Sequence, residues 1–343
     1  MSPRKRLRSL GTLCFASLAA SSILAQATSA AFEAQPVPAG TLRIWGDTYM
    51  SSVVQVWEEH FHRFHPDVVF ENRLMGTDTA MPGLYGGIAD LSLFGRESNA
   101  TENDGFVHSM QYKPLQLRLM AGSMDAPGKS YAPVLFVHEG NPLARLTLEQ
   151  ADALFGCGQP GEGAPARTWG DLGLGGEWKD KPIHLYTFDM ESGTGIFLLR
   201  KLQGGSKKMN WEILREFSDG RHADGTAYDA GEQTMNALKN DPYGLAVSGL
   251  QYADGNVKPL ALAARPGTPY VYASRETVVD GTYSLARMTY AFVNQTPGMP
   301  VLPQVKEFLR FVYSDEGQKL VMDSNGFLPL TKNEAAKQVL LMR

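Results

Sequence analysis

Short apolar runs alternate, from residue 41 onward, with stretches in which apolar side chains recur every three or four positions. The first kind of segment predicts β-strands and the second predicts amphipathic helices. Their alternation along one chain predicts an α/β fold. The predicted strands cover residues 41–45, 68–74, 90–94, 116–120, 134–138, 183–187, 244–248, 257–262 and 288–293.

The helical spacing is clearest just after the first predicted strand, where His65-Pro66 ends the pattern. Thr147 is a candidate N-cap of a later helix, and Asp229 stands near the start of another. A Gly- and Pro-rich stretch, residues 156–176, predicts a surface loop. The predicted helices cover residues 51–64, 77–85, 146–155, 196–202, 226–239, 302–313 and 316–323.

The first 30 residues have the features of a secretory signal peptide. Arg4, Lys5, Arg6 and Arg8 form a basic start, and residues 9–24 carry no charge and are mostly apolar or small. Small residues allow cleavage near residue 27 or residue 30. This pattern predicts a periplasmic or secreted protein; an uncleaved membrane anchor is the alternative, which the short, Ala- and Ser-rich run disfavours.

Composition and charge narrow the class of protein further. A chain of 343 residues with 43% hydrophobic residues can bury a large core, and its length suggests two lobes. The net charge of −4 gives no general attraction to nucleic acid. Without the signal segment only Cys157 remains, so no intramolecular disulfide can form. Cys157 is either a reactive thiol or a loop residue without a role.

An ordered set of short motifs extends over nearly the whole chain after the signal segment, and together they resemble one family: the periplasmic phosphate-binding proteins of ABC importers and their wider solute-binding relatives. Each motif alone is weak, but the order is fairly specific. The motifs are Trp45-Gly46-Asp47-Thr48, Gly87-Ile88-Ala89-Asp90-Leu91, Asn141-Pro142-Leu143, Trp169-Gly170-Asp171, Glu191-Ser192-Gly193-Thr194, Tyr243-Gly244-Leu245-Ala246, Tyr313-Ser314-Asp315-Glu316-Gly317-Gln318 and Gly326-Phe327-Leu328-Pro329-Leu330.

The resemblance implies a type II periplasmic-binding fold: two α/β lobes joined by two crossover strands, with a ligand cleft between the lobes. It places residues 41–135 and 291–343 in one lobe and residues 136–290 in the other. It also implies a monomer that is not an enzyme, has no cofactor, binds a small molecule or inorganic anion, and delivers it to an inner-membrane ABC permease.

The resemblance further implies that phosphate would be held by turns and helix starts, whose N–H groups attract anions. Arg96 is also a candidate for this cleft, and Tyr49 is a candidate aromatic wall. The ligand-binding candidates are Asp47, Thr48, Tyr49, Thr77, Asp78, Arg96, Ser192, Gly193 and Thr194.

Several positions depart from the family's usual pattern. Phe188 stands where the family usually has an arginine, and Gly95 stands where it often has Ser. If Asp47 and Asp78 both face the cleft, they oppose a phosphate dianion by about 4 kcal/mol for each pair of charges 4 Å apart at an effective dielectric of 20. The ligand is therefore open: a neutral or cationic solute between aromatic walls is an alternative. The candidate walls are Trp45, Tyr49, Tyr85 and Phe188.

Two further classes of function remain as alternatives, a secreted hydrolase or phosphatase on this scaffold and a ligand-sensing interaction protein. No G-x-S-x-G elbow, Walker A lysine or dinucleotide-binding glycine motif occurs in the required context. His60, His62 and His65 cluster near Glu58 and Glu59, but we interpret them as a solvated helix end. We assign no catalytic residue and no metal ligand.

Overall fold

A computed structural model describes residues 32–124, 126, 130–157, 165–202 and 209–342. The signal peptide predicted for residues 1–30 lies outside these ranges. Residues 31–343 form one unit of internal contacts. Within the described ranges no helix is both long enough and apolar enough to cross a membrane.

The strands are β1 (Gly40–Gly46), β2 (Val68–Arg73), β3 (Leu91–Phe94), β4 (Leu115–Ala121), β5 (Val134–His138), β6 (Arg145–Thr147), β7 (His184–Phe188), β8 (Leu214–Phe217), β9 (Gly220–Arg221), β10 (Ala227–Tyr228), β11 (Gly244–Ser248), β12 (Val257–Pro259), β13 (Ala261–Ala263) and β14 (Met288–Val293). The helices are α1 (Ser51–Phe61), α2 (Thr77–Tyr85), α3 (Ala100–Met110), α4 (Leu148–Phe155), α5 (Gly193–Leu202), α6 (Ala230–Lys239), α7 (Arg275–Val279), α8 (Pro303–Val312), α9 (Asp315–Asn325) and α10 (Lys332–Leu341).

Two five-stranded sheets organise the molecule. The first has the order β2-β1-β3-β14-β4, and the second has the order β12-β5-β11-β7-β8. In the first sheet β1 is parallel to β2 and β3, while β14 is antiparallel to its neighbours. In the second sheet β7 is parallel to β8 and β11. Loops at the carboxyl ends of such parallel strands are the usual place for a ligand site in α/β proteins.

Two segments connect the sheets. Residues 122–133, of which 125 and 127–129 lie outside the described ranges, lead from β4 to β5. Residues 264–287 lead back to β14 from β13, the short strand that follows β12 of the second sheet. They touch where the Gly122 N–H donates to the Arg287 carbonyl at 2.7 Å. We call them the first and second connecting segments. The exact lobe boundaries stated above stay a prediction.

The second sheet forms one apolar core with the helices that cover it, and the first sheet forms two. Helix α1 shows how the sequence builds one of these cores. Its apolar side chains at helical spacing, Val53, Val54, Trp57 and Phe61, are all buried, as the pattern predicted. The Trp57 indole N–H donates to the Gly317 carbonyl at 2.9 Å and so fixes α1 against α9.

The alternation of strands and helices is confirmed, but several element boundaries were wrong. The helix expected from residue 146 begins at Leu148, because Thr147 accepts the Gln150 N–H as its N-cap. The helix expected from residue 226 begins at Ala230, because Asp229 caps it and the preceding residues pair as β10. The strand expected over residues 257–262 is two strands with different partners, since β12 pairs with β5 and β13 pairs with β6.

Part of the Gly- and Pro-rich stretch expected to be a surface loop contributes to the core; residues 158–164 of that stretch lie outside the described ranges. Trp169 begins a 3₁₀ turn, is fully buried, and meets the ring of Trp178 edge to face at 6.0 Å. Three helices, α3, α7 and α10, and four strands, β6, β8, β9 and β10, were not predicted. Helix α7 has only five residues, too few to show a helical period. The other two helices are longer. They bury few side chains, Phe106 in α3 and Ala335 and Gln338 in α10, so their apolar periodicity is weak.

Candidate functional site

A cavity of about 480 Å³ lies among the loops that follow β1, β2, β7 and β8, the start of α6, and the second connecting segment. Eight of the nine ligand-binding candidates line it: Asp47, Thr48, Tyr49, Thr77, Asp78, Ser192, Gly193 and Thr194. Arg96 is not part of the lining. Among the aromatic candidates, Tyr49 and Phe188 line the cavity, whereas Trp45 and Tyr85 do not.

Four helical turns begin at this cavity. They are a 3₁₀ turn at Thr48–Met50 and the helices α2, α5 and α6. The first N–H groups of a helix have no partner within the helix and carry partial positive charge. The cavity therefore collects four sets of N–H groups, although the four starts differ in how they are capped.

A carboxylate caps two of the four starts. Asp47 accepts the Tyr49 N–H at 3.0 Å, and Asp229 accepts the Gly231 N–H at 2.7 Å. The other two have neutral caps. Gly76, at a positive φ of 129°, precedes α2 without any side chain, and the Ser192 hydroxyl accepts the Gly195 N–H at 3.1 Å at the start of α5. At the starts of α2 and α5, therefore, no capping carboxylate compensates the partial positive charge of the N–H groups.

Arg287 is the one arginine that lines the cavity, among the residues that the structure describes, and sequence reasoning missed it. It ends the second connecting segment, and only 2% of its surface is exposed. Its Nε–H donates to the Gly95 carbonyl at 2.5 Å, and Nη1 donates to the Thr194 hydroxyl at 2.9 Å. Nη2 lies 3.9 Å from the point that a Cβ on Gly193 would occupy. The guanidinium thus lies against the start of α5.

The charge of Arg287 follows from its surroundings. Burial lowers the pKa of Arg287 to about 10, and the nearby Asp47 carboxylate opposes that decrease. The guanidinium is therefore charged at neutral pH. One signal in the sequence could have found it: Arg287 is a single basic residue inside the apolar stretch from residue 285 to residue 293.

Phe188 ends β7 and is buried at the edge of the cavity, so this position supplies no charge. The cavity nevertheless contains a guanidinium, that of Arg287, which comes from a distant part of the chain. This positive charge weakens the electrostatic argument against an anion.

The electrostatic argument against an anion rested on the carboxylates of Asp47 and Asp78, which have different surroundings. Asp47 is buried, and its Oδ2 accepts a hydrogen bond from the Ser130 hydroxyl at 3.1 Å. The Asp78 side chain is 90% exposed and lies 3.8 Å from Arg96 Nη2. Water screens an exposed charge strongly, so Asp78 opposes an anion far less than a buried carboxylate would.

Arg96 lies behind the cavity wall. It is 1% exposed and donates two hydrogen bonds to the Glu102 carboxylate, at 2.8 and 2.7 Å. Its Nε is buried without a hydrogen-bond partner among the described residues. This atom lies 3.9 Å from the point that a Cβ on Gly193 would occupy. Arg96 and Arg287 therefore approach Gly193 together.

A hydrogen bond crosses the cavity between loops of the two sheets. The Tyr49 hydroxyl donates to Asp219 Oδ2 at 2.9 Å, while Asp219 Oδ1 accepts the Ala230 N–H at 2.8 Å. Burial and the charge of Asp219 raise the pKa of Tyr49 well above its ordinary value, so the phenol stays protonated and remains a donor.

The histidine cluster does not assemble into a metal site. His60 pairs with Glu316 at 3.3 Å, and His65 lies 3.6 Å from Glu307. Among the described residues no three His, Cys, Asp or Glu side chains are arranged to hold a metal ion. Cys157 is exposed, and its thiol donates to the Met209 carbonyl at 2.7 Å.

Comparison of the sequence and the fold with known proteins identifies the superfamily of this chain. Residues 31–316 match the model of the PBP superfamily domain. Solved structures support the same fold: PstS from Borrelia burgdorferi matches with a TM-score of 0.59 and 16% identity, over 85% of this chain and 99% of that chain. An ABC-type phosphate transport receptor from Vibrio cholerae matches with a TM-score of 0.58 and 17% identity, over 84% and 99%.

One curated relative matches along the full length. The chain is 30% identical, over 342 residues and 98% of both chains, to the phosphate-binding protein PstS of Pseudomonas aeruginosa. The chain therefore belongs to the PBP superfamily and is homologous to PstS phosphate-binding proteins. The two-lobed α/β fold expected from the motifs is confirmed, and the protein resembles the phosphate-binding component of ABC importers.

Proposed function

We propose that this protein is an exported solute-binding protein that holds phosphate in its cavity and delivers it to an inner-membrane ABC permease. The observation that carries the proposal is the position of Arg287. Its buried guanidinium lies at the start of α5, in a cavity that also receives the start of α2. A charged group and two neutral-capped helix starts form a preorganised binding site for a tetrahedral oxyanion.

The polar groups of the cavity fit the several oxygens of phosphate. Hydroxyl groups come from Thr48, Thr77, Ser192 and Thr194, and backbone N–H groups come from the two helix starts. The Arg96 Nε, buried beside Gly193, adds a further donor when a ligand oxygen reaches it. Each charge-assisted hydrogen bond contributes about 1.5–3 kcal/mol.

The acidic residues around the cavity are compatible with an anion. Asp189, Asp219 and Asp229 accept hydrogen bonds from neighbouring N–H groups, so part of their charge is compensated locally. Asp47 lies near Arg287, and its carboxylate can accept the proton of a hydrogen phosphate ion. The ligand that fits is therefore a phosphate ion that still carries a proton.

A secreted hydrolase is the weaker alternative. The Ser192 hydroxyl is used as a helix cap, and no His, Lys or Cys is found among the described residues that line the cavity. Phosphate release from a panel of phosphoesters, lost in Ser192→Ala, would establish an enzyme. We expect no turnover. We also expect a periplasmic or secreted monomer that does not bind nucleic acid.

The test uses residues 31–343, purified and freed of bound ligand, in thermal unfolding and titration calorimetry. Phosphate at 100 times its dissociation constant should stabilise the folded protein by about 2.7 kcal/mol. The panel also contains sulfate, amines, amino acids and sugars. Saturable binding of phosphate supports the proposal; binding of an amine or sugar instead, or of nothing in the panel, would overturn it. An importer-independent cellular response to phosphate would favour the sensing alternative.

A further inference from the structure

Ser130 lies in the first connecting segment, far in sequence from every motif that pointed to the cavity. It is 1% exposed, and its hydroxyl donates to Asp47 Oδ2 at 3.1 Å. The other carboxylate oxygen, Oδ1, accepts the Tyr49 N–H at 3.0 Å. Two donors on two different oxygens fix both the position and the plane of the Asp47 carboxylate.

The space used by the Ser130 hydroxyl is the space that a side chain at position 95 would need. A Cβ on Gly95 would lie 2.3 Å from Ser130 Oγ and 2.0 Å from Asp47 Oδ2. Both distances are far below contact distance, so the observed arrangement requires glycine at position 95. Serine at position 95, which the resemblance leads one to expect, and Ser130 as observed exclude each other.

We infer that Ser130 is a positioning residue of the ligand site. Ser130 comes from the first connecting segment and supplies a hydroxyl group that Gly95 lacks. Ser130 acts through Asp47, which it holds beside the anion, and this inference rests on the proposed function. Arg287 comes from the second connecting segment. Both segments that join the sheets therefore contribute to the site, which couples ligand binding to the relative orientation of the sheets.

The test exchanges the two residues. Ser130→Gly, Gly95→Ser and the exchange variant Gly95→Ser/Ser130→Gly are titrated with inorganic phosphate, and each is also followed by thermal unfolding. Ser130→Ala keeps the Cβ, so a loss of binding in it cannot come from a more flexible backbone. Ser92→Ala is the matched control, because Ser92 is equally buried and donates to the Ala80 carbonyl at 2.6 Å, outside the cavity lining.

Losing the donor to Asp47 should weaken phosphate binding about ten-fold in Ser130→Ala and in Ser130→Gly. Gly95→Ser alone should weaken binding at least as much, because its Cβ displaces the carboxylate. The same substitution should not restore binding in the Ser130→Gly background, because its Cβ would still lie 2.0 Å from Asp47 Oδ2. The exchange variant therefore tests the position of Asp47 separately from the hydroxyl of Ser130.

Phosphate affinity in Ser130→Ala equal to that of Ser92→Ala would overturn the inference, as would an exchange variant that binds phosphate as tightly as the wild type. If Ser130→Gly or the exchange variant does not fold, the comparison of Ser130→Ala with Ser92→Ala still gives the answer. The wild-type titration separates the two proposals. If the wild type does not bind phosphate, the proposed function fails and takes this inference with it; if only the variants disagree, Ser130 alone was misassigned.

Discussion

The four helical turns that begin at the cavity fall into two pairs. The 3₁₀ turn at Thr48 and helix α6 are capped by carboxylates, those of Asp47 and Asp229. Helices α2 and α5 are capped by Gly76, which has no side chain, and by the hydroxyl of Ser192. In the first pair the negative charge is part of the protein. In the second pair it can be supplied by a ligand.

Under the proposed function, this difference explains how an acidic protein holds an anion. A carboxylate near a helix start stabilises the helix by about 0.3–1 kcal/mol, and the same N–H groups can stabilise a bound phosphate instead. Arg287 lies at a neutral-capped start, since it donates to Thr194 at the beginning of α5. The Arg287 guanidinium and the N–H groups at the start of α5 thus lie next to each other.

Removing Arg287 should have the largest effect. Arg287→Gln keeps a side chain that can donate but removes the charge, and we expect phosphate affinity to fall by about 100-fold or more, the loss of a buried charge pair. Titration of the ligand-free protein with phosphate in a calorimeter measures this loss of affinity. Arg265→Gln, an exposed arginine outside the cavity lining, is the control. A loss of less than about three-fold would show that Arg287 does not contact the ligand.

Converting a neutral-capped start into a carboxylate-capped one should have the second largest effect. Aspartate is as good an N-cap as serine, so Ser192→Asp should leave thermal stability nearly unchanged. The new charge should repel phosphate and weaken its binding about 30-fold. Ser192→Asn, neutral and of similar size to aspartate, is the control. Equal phosphate affinities of Ser192→Asp and Ser192→Asn would contradict the distinction between carboxylate-capped and neutral-capped helix starts.

The opposite pattern is expected at a carboxylate-capped start. Asp229→Ala removes the cap of α6 and should lower the free energy of unfolding by about 1 kcal/mol, as measured by urea denaturation. Phosphate affinity should stay within about two-fold of the wild type, because the anion does not use this start. A large loss of affinity with little loss of stability would place the ligand at α6 instead.

Asp78 should give the smallest effect. Asp78→Asn removes a charge that lies near α2 but is almost fully exposed. Phosphate affinity should rise by at most about two-fold at low salt, and the gain should vanish in high salt because exposed charges are screened. A gain that persists in high salt would mean that Asp78 turns into the cavity when the ligand binds.

The alternation of strands and helices, the helix caps at Thr147 and Asp229, and eight residues of the cavity lining were predictable, because they depend on local patterns and ordered motifs. The residues that form each of these signals lie close together in the sequence. The weakly amphipathic helices α3 and α10 escaped prediction because few of their side chains are buried.

Arg287 and Ser130 could not be predicted in the same way. Arg287 reaches the cavity, and Ser130 reaches Asp47, only because a connecting segment brings each of them next to a distant loop. The separation in sequence is 192 residues between Arg287 and Gly95 and 83 residues between Ser130 and Asp47. Phe188 and Gly95 were noticed as departures from a pattern, but their meaning depends on which distant residue takes up the missing role.

The most direct test of where the anion binds is a crystal structure of residues 31–343 grown with arsenate, a tetrahedral analogue of phosphate that arsenic anomalous scattering locates. We predict one strong peak within hydrogen-bond distance of Arg287 Nη2 and the Gly193 N–H, near the start of α2. A peak at the carboxylate-capped start of α6, or a cavity without any anomalous peak at saturating arsenate, would contradict the account.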